Sequence, residues 1–199
     1  SEYKDSIFSR IIYRAKVEPD KGYKYSDVGY YFLKELVEVK TKQAIQDYNQ
    51  SIFYEPLGMN RTSFLPREKF SIREIIPTEN DKIFRKQLIH GDVHDPGAAM
   101  LGGVGGHAVL FSSANDLENG VYGGERYLKE EVLKEYTKCQ FCADSIPTNK
   151  EENRRGAGFD KPQLHGEPGP TCECISFKSY GHSGFTGTYA WVDPEEELV

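Results

Sequence analysis

The C-terminal part of the chain is rich in strand-forming residues, and this feature restricts its fold most. From residue 180 onward the strand formers are Tyr180, Phe185, Thr186, Thr188, Tyr189, Trp191 and Val192. Aromatic and β-branched side chains pack well on a pleated surface, so this segment predicts β-structure. The following Asp193-Pro194-Glu195-Glu196 is a turn signal. Leu198-Val199 then predicts the start of a further strand.

The N-terminal part has a helical period instead. Apolar residues recur with helical spacing at Val28, Tyr31, Phe32, Leu36 and Val39. Either Ser26 or Asp27 is expected to cap this helix, because both side chains can accept a hydrogen bond from a free N–H group. A second helix is predicted from Thr41, ending before Pro56. Its apolar face holds Ile45, Tyr48, Ile52 and Phe53.

The middle of the chain combines loop, glycine and helix signals. Residues 64–87 predict a loop with short extended pieces, and residues 97–107 form a glycine-rich block. No Lys-Ser/Thr pair follows this block, so tight backbone turns are favoured over a phosphate-binding loop. Ser112 to Leu117 predicts a helix start, but Asn119-Gly120 predicts that this helix ends after about one turn. Residues 128–138 predict a further amphipathic helix.

Composition excludes several classes of function. The 199 residues suffice for one domain or for a piece of a larger one, and the 13% aromatic content argues against disorder. The net charge of -6, with no basic run, argues against nucleic acid as a partner. No stretch approaches the roughly 20 apolar residues of a membrane span.

Four segments carry a family resemblance. The first is Tyr25-Ser26-Asp27-Val28-Gly29, and the second runs from Tyr54-Glu55-Pro56-Leu57-Gly58 to Thr62. The third runs from His94-Asp95 through Gly106-His107 to Asp116-Leu117, and the fourth is His182-Ser183-Gly184. In this order they resemble the serine β-lactamase-like and penicillin-binding-protein-like hydrolases. This family includes class C β-lactamases, D-Ala-D-Ala carboxypeptidases and esterases.

The resemblance implies an α+β fold of the β-lactamase/transpeptidase type, in which helices flank an antiparallel sheet beside a helical lobe. Residues 1–199 would form a single partial domain, a C-terminal portion of that fold. The family's Ser-x-x-Lys nucleophile region and its final strand and helix would then lie outside the chain. The one local match, Ser1-Glu2-Tyr3-Lys4, is interpreted as a coincidence because the family nucleophile lies much further upstream of the tyrosine motif.

The resemblance also assigns candidate site residues. Tyr25 would act as the catalytic base if nearby cations lower its pKa from the usual value near 10. His182 would supply positive charge or relay a proton. The expected substrate-binding residues are Asp27, Ser183, Gly184 and Phe185, with the Phe185 N–H as an oxyanion donor. No cofactor and no metal are implied.

Two residues depart from the family pattern. Asp27 replaces an asparagine and so provides only hydrogen-bond acceptors, which weakens the expectation that the site binds a β-lactam side-chain amide. His182 replaces a lysine, as in the esterase and peptidase relatives. Zinc is a further interpretation, at His90-x-x-x-His94 or at Cys139, Cys142, Cys172 and Cys174. For the cysteines, disulfides or buried thiols stay open beside it.

The sequence therefore predicts a serine hydrolase that forms an acyl-enzyme with an amide or ester. Expected substrates are a β-lactam, a peptidoglycan peptide or a small ester, and this chain alone is expected to be inactive. The resemblance implies a periplasmic, secreted or cell-envelope location, and some similar bacterial hydrolases are attached to glycoside hydrolases. The alternative is a catalytically inactive module that binds peptidoglycan or a partner domain.

Overall fold

The computed structural model describes residues 6, 8, 10, 13–14, 16, 25–141, 154–164, 169–172 and 174–199, with backbone alone for 121–127. These residues belong to two compact units. The first unit comprises Ser1–Gln50 and Ser63–Phe111, and the second comprises Ser51–Thr62 and Ser112–Val199. Among the described helices, none combines the length and the apolar character that crossing a membrane requires.

The first predicted helix is confirmed as α1, Val28–Thr41. Its start is stabilised by Ser26, whose Oγ accepts from the Val28 N–H at 3.3 Å, whereas the Asp27 side chain makes no capping bond. The helix ends at Lys42, which has a left-handed backbone conformation with φ 57°. Its buried side chain is Lys34, which pairs with Glu38 at 2.6 Å.

The second predicted helix starts later than expected. Because Lys42 closes α1 with a hydrogen bond to the Glu38 carbonyl, the expected start at Thr41 is wrong. The next helix, α2, is Ile45–Asn49, and a π-helical turn continues it over Gln50–Tyr54. It thus ends before Pro56, as predicted.

The rest of the first unit contains short elements. Two 3₁₀ turns, Pro66–Glu68 and Ile72–Glu74, precede an antiparallel hairpin. Its strands are β1, Pro77–Asp81, and β2, Gln87–His90. Ile89 of β2 is 2% exposed and belongs to the core. The helix α3, Pro96–Met100, opens the glycine-rich block and is capped by the Asp95 side chain.

In the second unit, α4 spans Ala114–Tyr127. The predicted stop at Asn119-Gly120 is therefore wrong. A Cβ at Gly120 would lie 3.1 Å from Met59 Sδ, so glycine at this position allows close packing of the helix rather than ending it. The helix α5, Glu130–Thr137, matches the amphipathic segment predicted over 128–138.

The predicted C-terminal β-structure is confirmed by an antiparallel pair, except that Phe185, Thr186 and Thr188 lie in the turn between its strands. Strand β3, Tyr180–Ser183, pairs with β4, Tyr189–Val192, and Gly181 also bridges to Asp160. The predicted turn after Val192 is closed by two backbone hydrogen bonds between Asp193 and Leu198, at 2.9 and 3.1 Å.

The described cysteines are in disulfides. Cys172 and Cys174 bond to each other, and Cys139 is disulfide-bonded as well. Zinc ligation by these three cysteines is therefore wrong, since a disulfide sulfur carries no thiolate. Cys142 and the Ser1–Lys4 match lie outside the described residues.

Candidate active site

The candidate base lies directly before α1. Tyr25 is 53% exposed, and Asp27 is half-buried at the point where the helix begins. The backbone carbonyl of Asp27 accepts from Tyr30 N at 2.9 Å and closes the first turn. The structure therefore places the Tyr25–Asp27 segment at the amino end of a helix.

Asp27 of this segment belongs to a cluster of three ionisable side chains. Asp27, Asp95 and His107 each offer one ligand atom, and these atoms lie within 4.8 Å of one another. His107 Nε2 lies 3.2 Å from Asp95 Oδ1, and its ring meets the Tyr31 ring edge-on at 4.6 Å between centroids. Burial raises the pKa of Tyr31, and the negative charges of Asp95 and Asp27 add to the effect.

This cluster has donor types that zinc or manganese accepts, namely two carboxylates and an imidazole. Among the described residues, it is the one group of three side chains close enough together to bind a metal ion. The zinc interpretation of His90 and His94 is wrong, because the two rings bind different partners. His90 Nε2 lies 2.5 Å from the Ile75 carbonyl oxygen, and His94 Nδ1 lies 2.6 Å from Glu79 Oε1.

His182 and Ser183 lie at the end of β3. His182 pairs with Ala190 across the strand pair, and Ser183 pairs with Tyr189. The half-buried His182 ring points Nδ1 at the Ser183 carbonyl oxygen, 2.7 Å away. This contact favours the proton on Nδ1, because a carbonyl only accepts. Nε2 then carries the lone pair that proton transfer requires.

The other edge of β3 is partly covered. Gly181 exchanges both backbone hydrogen bonds with Asp160, at 2.8 and 3.2 Å. In an antiparallel strand the backbone groups of alternate residues point to the same edge, so those of Ser183 point to the edge that Asp160 covers at Gly181. Within the described residues, no backbone partner bonds to Ser183 on that side.

Gly184 and Phe185 lie just beyond β3. The Gly184 N–H donates to the Thr188 carbonyl at 2.7 Å, which closes the turn between β3 and β4. A Cβ at Gly184 would overlap Thr188 Oγ1, so a larger residue here would have to displace that hydroxyl. The expected role of Gly184, an edge that a substrate can approach, stays a prediction. The Phe185 ring is 85% exposed, and the role of its N–H stays a prediction.

The candidate residues are divided between the two units. Tyr25 and Asp27 belong to the first unit, and His182, Ser183 and Phe185 belong to the second. That they face one cleft stays a prediction.

The family match covers nearly the whole chain. Residues 9–199 match the family model described as Beta-lactamase. The chain belongs to the beta-lactamase family. It is therefore related to hydrolases of the beta-lactamase type.

Named relatives and solved structures of similar proteins agree with this family membership. A "Putative D-alanyl-D-alanine carboxypeptidase" of Escherichia coli K12 is 33% identical over 92% of the chain, and the chain spans 44% of that relative. A solved octameric penicillin-binding protein homologue from Pyrococcus abyssi has a TM-score of 0.62 at 22% identity, covering 98% of this chain and 42% of its own. A D-amino acid amidase from Ochrobactrum anthropi has a TM-score of 0.60 at 17% identity, with 98% and 53% covered. These structural matches confirm the predicted α+β fold of the β-lactamase and penicillin-binding-protein type.

Two of the family-like segments meet within the second unit. The Asp116 carboxylate accepts from the Arg61 N–H at 2.7 Å and from Thr62 Oγ1 at 2.8 Å. It thereby joins the end of the Tyr54–Thr62 segment to the first turn of α4. This contact explains both segments structurally, without a catalytic role.

Sequence reasoning missed one ionisable residue beside β3. Lys161 is 3% exposed, and its Nζ donates to the Lys178 carbonyl oxygen at 2.9 Å. Burial lowers its pKa to about 8, and Arg154 adds to this effect while Asp193 opposes it. No sequence pattern marks this lysine, because its burial depends on contacts made far along the chain.

Proposed function

We propose that the full-length protein is a serine hydrolase that forms an acyl-enzyme with an amide or ester. The nucleophile would come from a Ser-x-x-Lys segment outside residues 1–199. Tyr25 would take the proton of that serine, and His182 would supply charge or relay the proton. Substrate would contact Asp27, Ser183, Gly184 and Phe185.

The open edge of β3 at Ser183 is the observation that carries this proposal. An extended acyl chain can add to a strand edge through backbone hydrogen bonds. Asp160 occupies this edge at Gly181, and two residues later the Ser183 N–H has no backbone partner within the described residues, whereas the Ser183 carbonyl accepts from His182 Nδ1. The position adjoins His182, so a bound acyl group would lie beside a proton-relaying ring.

The proposed acyl-enzyme reaction requires no cofactor. The serine Oγ would attack the acyl carbonyl carbon while its proton passes to Tyr25, which accepts it as the phenolate. Two backbone N–H groups, including that of Phe185, would hold the negative oxygen of the tetrahedral intermediate. The bond between the acyl carbon and the leaving group then breaks as the leaving group takes the proton from Tyr25. Water hydrolyses the resulting serine ester, giving a proton to Tyr25, and the serine Oγ takes that proton back as it leaves.

A small acyl compound from the cell envelope is the proposed substrate class. The names of the E. coli relative and of the amidase support amides of D-amino acids as substrates, and the family supports β-lactams. On the same grounds we propose a periplasmic or envelope location, and association with a glycoside hydrolase domain stays part of the proposal.

Steady-state assays of the full-length protein test the proposal. Hydrolysis of p-nitrophenyl acetate, nitrocefin and a D-Ala-D-Ala peptide would separate esterase, lactamase and carboxypeptidase activities. Tyr25→Phe is expected to lower kcat by about 10²–10⁴-fold, since it removes the proposed base. Tyr136→Phe, which alters a tyrosine that is 58% exposed on α5, is the matched control and should leave kcat unchanged. No turnover of any substrate would favour the inactive binding module instead.

A further inference from the structure

Asp95 and His107 lie against the first turn of α1. The Asp95 carboxylate oxygen Oδ1 accepts from the Ala98 N–H at 2.6 Å and also contacts His107 Nε2 at 3.2 Å. One oxygen thus caps α3 and holds the imidazole. The His107 side chain is 6% exposed and touches the Tyr31 ring, one turn into α1.

Two glycines bring the backbone beside this pair directly against α1. A Cβ at Gly106 would overlap the Tyr30 carbonyl oxygen, and a Cβ at Gly97 would overlap the Tyr31 hydroxyl. Overlap with a backbone atom has no cheap relief, so Gly106 in particular requires the absence of a side chain. The glycine-rich block therefore acts as a close-fitting support for the first turn of the helix.

The His107 imidazole offsets the repulsion between the two carboxylates of the cluster. Asp27 and Asp95 place carboxylate oxygens close together, an arrangement in which like charges repel. An N–H donated by His107 Nε2 to Asp95 offsets this repulsion. His107 Nδ1 is buried and has no hydrogen-bond partner among the described residues. The proton therefore belongs on Nε2, where it faces Asp95.

We infer that Asp95 and His107 are positioning residues for the Tyr25–Asp27 segment. Tyr25 lies two residues before Asp27, so a shift of the first turn of α1 displaces the proposed base. A displacement of about 1 Å can cost on the order of 10²-fold in rate. This inference rests on the proposed function.

Kinetics of the full-length protein provide the first test. With p-nitrophenyl acetate, which has no side-chain amide for Asp27 to contact, His107→Phe is expected to lower kcat by about 10–100-fold, while KM stays within about twofold. His107→Gln, which can still place an N–H donor near Asp95, should recover most of the lost rate. Asp116→Asn is the matched control, because this buried carboxylate also holds groups at a helix start but belongs to the second unit.

Hydrogen exchange provides a readout that is independent of activity. His107→Phe and Asp95→Asn should speed exchange of the Tyr30 and Tyr31 amides, which bond to the Asp27 carbonyl, and Asp116→Asn should not. If His107→Phe does not fold, His107→Gln and Asp95→Asn decide the question by the same two measurements.

Three results would overturn the inference. The first is unchanged kcat and unchanged hydrogen exchange in the His107 and Asp95 variants. The second is a loss of rate that is explained by lower thermal stability, as in Asp116→Asn. The third is inactivation of the wild type by EDTA. The last result would mean that the cluster binds a cation. A wild-type protein without turnover, but with the expected exchange differences, would instead count against the proposed function alone.

Discussion

The fold lowers the pKa of Lys161, and this effect can be tested. Its side chain is buried beside Tyr180, with Nζ 5.8 Å from the ring centroid, and donates to the Lys178 carbonyl. Burial disfavours the ammonium form and lowers its pKa to about 8. In the unfolded chain the same amine titrates near 10.4. Folding therefore releases a proton between these two values.

This difference predicts how stability changes with pH. Between about pH 8 and 10 the unfolded state binds more protons than the folded state. The Lys161 contribution therefore increases the free energy of unfolding, and so the stability, as pH rises. Lys161→Met removes the titration while keeping an unbranched side chain. Urea denaturation at pH 7.5, 9 and 10 should show the wild type gaining stability relative to this variant. Parallel pH curves for the two proteins would contradict the assignment.

The candidate site was predictable from sequence only at residues that carry a motif. Tyr25 and His182 were found because each lies in a short pattern that resembles a family element. His107 and Asp95 lie in such a pattern too, yet their contact with α1 depends on close approach at Gly97 and Gly106, which no local pattern reveals.

At the scale of elements, the sequence predicted the types of structure better than their limits. Helix α1 and the pair β3–β4 follow directly from their periodicity. The start of α2 was wrong by a few residues because Lys42 adopts a left-handed conformation, which sequence rules expect mainly of glycine or asparagine. The length of α4 was wrong because Gly120 faces Met59, a contact with a distant part of the chain.

Because β3 and β4 pair closely, adding one methyl group at Gly181 should lower the stability of the protein. A Cβ at Gly181 would overlap the Ala190 carbonyl oxygen and the Trp191 ring. Gly181→Ala should therefore lower the unfolding free energy by about 1–3 kcal/mol, the usual cost of overpacking. Gly29→Ala is the control, since nothing lies within 4 Å of its added Cβ, and it should raise stability by up to about 1 kcal/mol. Equal denaturation midpoints for the two variants would contradict this packing.

At the scale of the whole molecule, the chain belongs to the beta-lactamase family and spans less than half the length of the curated relatives it matches. Its α+β fold was expected from the resemblance to this family. Its division into two compact units did not follow, because the second unit joins Ser51–Thr62 to Ser112–Val199 across a long stretch of chain. Contacts such as that between Thr62 and Asp116, which join these segments, have no local sequence signal.

Covalent labelling of the full-length protein tests the central claim most directly. The protein is mixed with nitrocefin or p-nitrophenyl acetate, quenched in acid within seconds, and measured by intact-protein and peptide mass spectrometry. We expect one acyl group on the serine of a Ser-x-x-Lys segment outside residues 1–199, formed far more slowly in Tyr25→Phe. An adduct on another residue, or no adduct with either compound, would contradict an acyl-enzyme mechanism that uses Tyr25.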